Sequence, residues 1–228
     1  MSTLNVDKVD PSTGTTLELG TSGDTVNLGS GVTAGTGFGG DLSFGGDTFG
    51  ANKVIGANDA YSFSLETSGN TALTIDSTGA ITKPLQPAFS AYMSADMTDI
   101  TTNTDHTIIF DTERFDVNAD FNTGTYTFTA PVTGKYAFMK TLNLKNADAN
   151  GGYYHQKFIT SNETYNINVM ATPGWAADVA HWQTTGCVFA DMDASDTCYF
   201  VVHQQEGTAQ TDVRGGAGWS SIQGWLAS

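Results

Sequence analysis

Residues 124–138 read G-T-Y-T-F-T-A-P-V-T-G-K-Y-A-F. Tyr126, Phe128 and Ala130 alternate with threonines, and after a break Tyr136 and Phe138 alternate with Lys135 and Ala137. Alternation of period two marks strands with one buried face. The break holds Pro131 and Gly134, which supply a fixed φ and a free one for a tight turn. The stretch therefore predicts two adjacent antiparallel strands with Tyr126, Phe128, Tyr136 and Phe138 facing inward together.

Outward from this pair the same pattern predicts strands at 88–93, 107–110, 125–130, 135–144, 153–160, 165–170, 181–190, 197–204 and 219–226. Only 14% of the 228 residues are charged, 26 are glycine, and Lys, Glu and Leu are scarce. Such a composition disfavours helices and suits short strands joined by turns. Nine strands without a convincing helix predict an all-β sandwich or closed barrel. Acidic residues outnumber basic ones 24 to 9, for a net charge of -15. That balance repels phosphate backbones and anionic lipid, so neither nucleic acid binding nor membrane docking is expected. No apolar run approaches the ~20 residues of a membrane span. The opening MSTLNVDKVD has neither a basic nor an apolar signal region, so synthesis in a cytosol without Sec export is expected.

Residues 1–83 read differently. Apolar pairs spaced by two recur at Leu17/Leu19, Val26/Leu28, Leu42/Phe44, Phe63/Leu65 and Leu73/Ile75, separated by Gly-rich turns. Strands this short cannot build a core within one chain and need neighbours to supply the missing apolar faces. A β-helical or β-prism-like stalk in an oligomer would do that. The G-T-G-F-G-G at 35–40 fits a dinucleotide fingerprint by letter only, since no helix can follow it. Pro84 and Pro87 then make a stiff joint at 84–87. The expected organisation is a stalk or anchor over 1–83, the joint, and a head domain over 88–228.

The head resembles the jelly-roll domain of complement globular heads, in the tumour-necrosis-factor-like superfamily. PAFSAYM from Pro87, the run from Ile108 to Phe138, TTGCVFADMDASDTCYFVV from Thr184 and the closing WSSIQGWLA from Trp219 carry the resemblance. It implies that the first and last strands pair, and that the domain forms a homotrimer. The family usually has Gly-Asp before its penultimate strand where this chain has Ser195-Asp196, a change that leaves the turn open to widening. The opening twenty residues, and SGNTALTIDSTGAITKP ahead of the head, resemble fibre and decoration proteins of tailed bacteriophages. That likeness implies a virion protein assembled in the host cytoplasm, anchored to other virion proteins through its N-terminal region.

No catalytic constellation emerges. His106, His155, His181 and His203 form no tight ligand cluster, and no G-x-S-x-G elbow is present. No enzyme activity, cofactor or metal is expected. Asp191, Asp193 and Asp196 lack the glycine and final glutamate of a calcium loop and read as turn residues. Cys187 and Cys198 flank that turn and could bridge if their strands pair, or remain thiols as a reducing cytosol favours.

Loop lengths supply the positional clue. The connections at 131–134, 161–164 and 191–196 are short, whereas those at 145–152, 171–180 and 205–218 are long. Successive connections in an antiparallel sandwich alternate ends, so the long loops should gather at the tip away from the stalk. The candidate ligand-binding residues are Asn146, Asp148, Asn150, Trp175, Asp178, Glu206, Asp212 and Arg214. A host surface glycan or protein is the expected partner. A capsid decoration role, or a secreted complement-like binding module without a particle, are the alternatives.

Overall fold

Period-two alternation resolves into fifteen strands among the residues described, which in this computed structural model are 52 and 54–228. No helix occurs among them. The first three strands, β1 (Phe63–Thr67), β2 (Asn70–Ile75) and β3 (Ile81–Thr82), make a small antiparallel sheet. Twelve more follow: β4 (Ala88–Tyr92), β5 (Asp105–Thr107), β6 (Thr112–Val117), β7 (Phe121–Asn122), β8 (Thr127–Thr129), β9 (Gly134–Ala147), β10 (Tyr153–Thr160), β11 (Thr164–Ala171), β12 (Val179–Met192), β13 (Thr197–Gln205), β14 (Asp212–Val213) and β15 (Ser221–Leu226). One sheet runs β12-β9-β15-β4-β6, with β14 added to β9. The other runs β11-β10-β13-β8-β7, with β5 added to β13. The chain crosses repeatedly between the two, giving a jelly-roll sandwich. The first and last head strands, β4 and β15, pair antiparallel with Ala88 opposite Trp225.

The core is a stack of aromatic rings between the sheets. Phe128, Tyr136 and Phe138 are fully buried, as their alternation predicts. Phe89 stacks on Phe121 and Phe128 at 4.6 and 5.1 Å, and Phe138 meets Phe128 edge-on at 5.4 Å. The close fit depends on Gly224, where a Cβ would come within 2.5 Å of the Phe89 ring and 2.7 Å of Phe138. The Tyr136 hydroxyl donates to the Val132 carbonyl at 2.8 Å, tying the strand to its own turn.

Tyr126 does not join this core. It is only half-buried and sits in the turn before β8 at φ +59°, so the strand begins two residues later than the alternation suggests. Asn122 explains why, because its side-chain oxygen accepts the N–H groups of Gly124 and Thr125 and holds a tight β7–β8 turn. Strands β6, β7 and β14 were not apparent in the sequence. In β6 a single exposed aromatic, Phe115, is surrounded by Glu113, Arg114 and Asp116, so no apolar alternation shows.

The Ser195-Asp196 departure leaves the turn unwidened. Ser195 adopts φ +78°, the conformation glycine would supply, and Asp196 N–H donates to Asp193 O at 3.0 Å. Asp196 also accepts from Asp193 N–H and from the Asn162 amide, so these acids work as turn formers. Cys187 and Cys198 lie on β12 and β13, which belong to different sheets. Their strands do not pair, and Cys187 is exposed whereas Cys198 is buried in the core.

The joint is tied to the short-loop end of the head. Gln86 Nε2 donates to Leu226 O at 2.7 Å, Leu226 N–H to Pro87 O at 3.0 Å, and Asn118 Nδ2 to Leu85 O at 3.1 Å. Of the five apolar pairs expected in residues 1–83, Phe63/Leu65 and Leu73/Ile75 fall in β1 and β2. The pairs at 17/19, 26/28 and 42/44 lie outside the described residues, as does 35–40.

Candidate functional site

The three long connections converge at the end of the sandwich opposite the joint. Asp148, just after β9, organises them. Its carboxylate accepts the N–H of Asn150 at 2.8 Å and the N–H of Thr208 from the β13–β14 connection. Its own N–H donates to the Tyr154 hydroxyl at 2.7 Å, and that hydroxyl meets Thr211 Oγ1 at 2.7 Å. Gly207 is required beside it, with φ +78° and a Cβ position only 2.4 Å from Asp148 Oδ2. At 1% exposure Asp148 staples two loops together and has no face left for a ligand.

The other acids are similarly engaged. Asp178 accepts from Ala149 N–H at 2.9 Å and from Gln210 Nε2 at 2.7 Å, and these bonds hold its carboxyl below the usual range. Asp212, also buried, accepts from Asp99 N–H at 3.1 Å and Asn146 Nδ2 at 3.2 Å. The Arg214 guanidinium lies 3.7 Å from the centre of the Trp219 ring, a cation–π contact. Trp175 is half-buried, with its ring 6.5 Å from both Tyr154 and Trp182. It caps the end of the core. Asn150 and Glu206 differ from the rest. Both are exposed, and among the described residues neither side chain makes a hydrogen bond.

Residues the loop argument passed over also reach this end. The segment between β4 and β5 contributes Asp99 at φ +53° and Asn103 at φ +58°, and Asn103 Oδ1 accepts Glu206 N–H at 3.1 Å. The signal was present in D-M-T-D-I-T-T-N-T-D, since Asp and Asn are the residues that tolerate this backbone. Asp99, Asn146, Asp178, Ala180 and Gln210 line a shallow polar cleft of about 420 Å³. No three His, Cys, Asp or Glu side chains converge as a metal site among the described residues.

Residues 88–220 match the family described as the C1q domain. The chain belongs to the C1q domain family. Among solved structures it is similar to the globular domain of zebrafish complement 1qA protein, at 16% identity and a TM-score of 0.45, covering 63% of this chain and 98% of that one. It is also similar to murine APRIL at pH 8.0, at 3% identity and a TM-score of 0.44, covering 62% and 98%. No curated protein matches the chain.

In this C1q domain Trp175 packs against Tyr154 and Trp182 with part of its ring still exposed. Trp175→Ala is expected to lower stability by about 2–3 kcal/mol, the lower end for a large aromatic because the ring is only half-buried. Thermal melting of the purified variant checks this. A melting temperature within error of the parent would mean that the ring is free for a ligand.

Proposed function

We propose that this C1q domain is a binding module with no catalytic role. In this reading it is the head of a homotrimeric virion fibre whose long-loop end docks on a glycan or protein of a host cell surface. The observation that carries the trimer is the outer face of the β12-β9-β15-β4-β6 sheet. Phe115, Met139, Phe189 and Trp225 stand there at 53%, 39%, 67% and 37% exposure. Phe189 and Trp225 flank Ala137 from either side in register, and Cys187 and Gln223 flank Met139. A contiguous apolar face of this kind is a protein interface. C1q and TNF-like domains typically form homotrimers, and this sheet is the surface with the chemistry to do so here.

The loop arrangement supports the rest. The joint leaves at one end, so the stapled long loops point away from the stalk and three copies present them together. Weak sites repeated around an axis, on several fibres per particle, raise avidity without any one site being strong. The Gly-rich sequence ahead of the head, with its likeness to tailed-phage fibre and decoration proteins, favours a virion setting.

Two measurements test this. Phe189→Glu places a charge in the apolar face and is expected to turn a trimer into a folded, monomer-sized species by light scattering. A parent chain that is already monomeric at micromolar concentration would refute the trimer. Glu206→Ala and Asn150→Ala remove exposed side chains that hold nothing in the fold. Reduced adsorption of the purified trimer to host cells, with unchanged melting, is the expected result. Unchanged adsorption for both would move the head to a structural, decorating role.

A further inference from the structure

We infer that one face of the β1-β2-β3 sheet is a second interface between copies of this chain, in which three such sheets pack together beside the heads; the inference rests on the trimer proposed above. Register puts Phe63 opposite Ile75, Leu65 opposite Leu73, and Ile75 opposite Ile81. All five side chains therefore share one face. The other face carries Ser64, Thr74 and Thr82, with the Ser64 and Thr74 hydroxyls 3.1 Å apart. The apolar face is open, with Leu65 53% and Ile81 62% exposed. Apolar side chains left open to water forgo the burial that would stabilise so small a sheet, and a contiguous open apolar face marks an interaction surface.

The head does not cover it. The sheet residue that meets the head is Ala72, which alternates with Leu73 and so belongs to the opposite face. It lines a mainly apolar cleft of about 300 Å³ with Leu85, Pro131, Val132 and Leu226. What recommends a second copy is the way the sheet is attached. Only residues 83–87 separate β3 from β4, and they are pinned to the head by the Gln86, Pro87 and Leu85 bonds. The joint leaves the head at Ala88, which pairs with Trp225 on the apolar outer face. The small sheet thus continues directly from the edge of the proposed head interface. Heads gathered around one axis hold three of these faces at high effective concentration. Charge agrees with self-association. The chain is strongly acidic, yet the five residues of this face are uncharged; Glu66, opposite Thr71 beyond the bulge, stands at its rim, and Asp76 is turned into its own 76–80 turn by bonds to Thr78 and Ala80.

The test uses the full chain with Cys187→Ser, leaving Cys198 buried. Ile81→Cys lies on the apolar face and Thr82→Cys on the opposite one. The expected result is that a short bismaleimide, which joins one thiol on each of two chains, links Ile81→Cys chains into covalent dimers, while Thr82→Cys chains stay single. In a preparation that light scattering shows to be trimeric, equal maleimide labelling at both positions with no cross-linking would overturn the inference and leave the head trimer standing. Protection of Ile81→Cys without cross-links between chains would also overturn it, assigning the cover to the chain's own first residues. A monomeric parent would instead remove the head trimer on which the inference rests.

Discussion

Phe138→Ala is expected to destabilise the head by about 3–5 kcal/mol, the range for emptying a fully packed aromatic site. Phe138 is completely buried on β9. Its ring centre lies 5.4 Å from Phe128, 6.0 Å from Phe158, 6.2 Å from Tyr136 and 6.4 Å from Phe89. Four partners from β8, β10, β9 and β4 therefore lose contact at once. Relaxation is limited, because Gly224 already lets the neighbouring strand approach as closely as backbone allows. Denaturant unfolding followed by tryptophan fluorescence measures the change. A loss below ~1 kcal/mol would place the ring outside the packed layer and undo the core described above.

Lys140→Met is expected to stabilise the head near neutral pH and to flatten its pH dependence. Lys140 points into the sandwich from β9 and is fully buried. Its Nζ donates to Gln156 Oε1 and, at 2.6 Å, to Thr184 Oγ1, and stands 5.5 Å from the centre of the Phe200 ring. No carboxylate is among these partners. Burial lowers its pKa from 10.5 to about 7. Below that value the folded and unfolded chains both carry the proton, and the fold bears a buried ammonium. Between about pH 7 and the unfolded value only the unfolded chain is protonated, so raising the pH favours the fold. Each pH unit in that window is worth up to about 1.4 kcal/mol. From pH 7 to 9 the parent should therefore gain about 2–3 kcal/mol, and Lys140→Met should gain none. The comparison stops near pH 9. Cys198, Tyr136 and Tyr154 are buried with raised pKa values, so their ionisation in the unfolded chain works in the opposite sense at higher pH. Methionine leaves Gln156 Oε1 paired with the Thr184 hydroxyl at 2.7 Å. Parallel slopes for parent and variant would mean that the amine stays charged in the core.

Much of the architecture could be read from residue order. Alternation located the long strands to within two or three residues, because a strand with one buried face must alternate whatever its partners are. Strand 153–160 appears unchanged as β10. Loop lengths sorted the two ends of the sandwich, since an antiparallel chain has no other way to reverse. Short or edge strands escaped: β7 and β14 have two residues each, and β6 alternates in charge instead of hydropathy. Tyr126 escaped for a similar reason, because a side-chain bond from Asn122 outweighed the local pattern.

The candidate site was legible as a place but not as chemistry. Loop length put eight residues on the long connections; Asn146, Asp148, Asp178 and Asp212 are bonded across those loops, whereas Arg214 packs on Trp219. Composition cannot distinguish a carboxylate that binds from one that holds a loop, since both are acidic residues among turn formers. Only the folded chain brings Thr208 N–H to Asp148, Gln210 to Asp178 and Asn146 to Asp212, pairings that span 60, 32 and 66 residues. The sequence by itself determined an all-β head, its core alternation and the end at which its long loops lie, because these follow from local backbone periodicity and chain reversal. Tertiary structure alone decided which polar groups are consumed by the fold, which face is left apolar, and that a lysine stands in the core. Those outcomes depend on which strands become neighbours across the sandwich, and that is set by contacts distant in sequence.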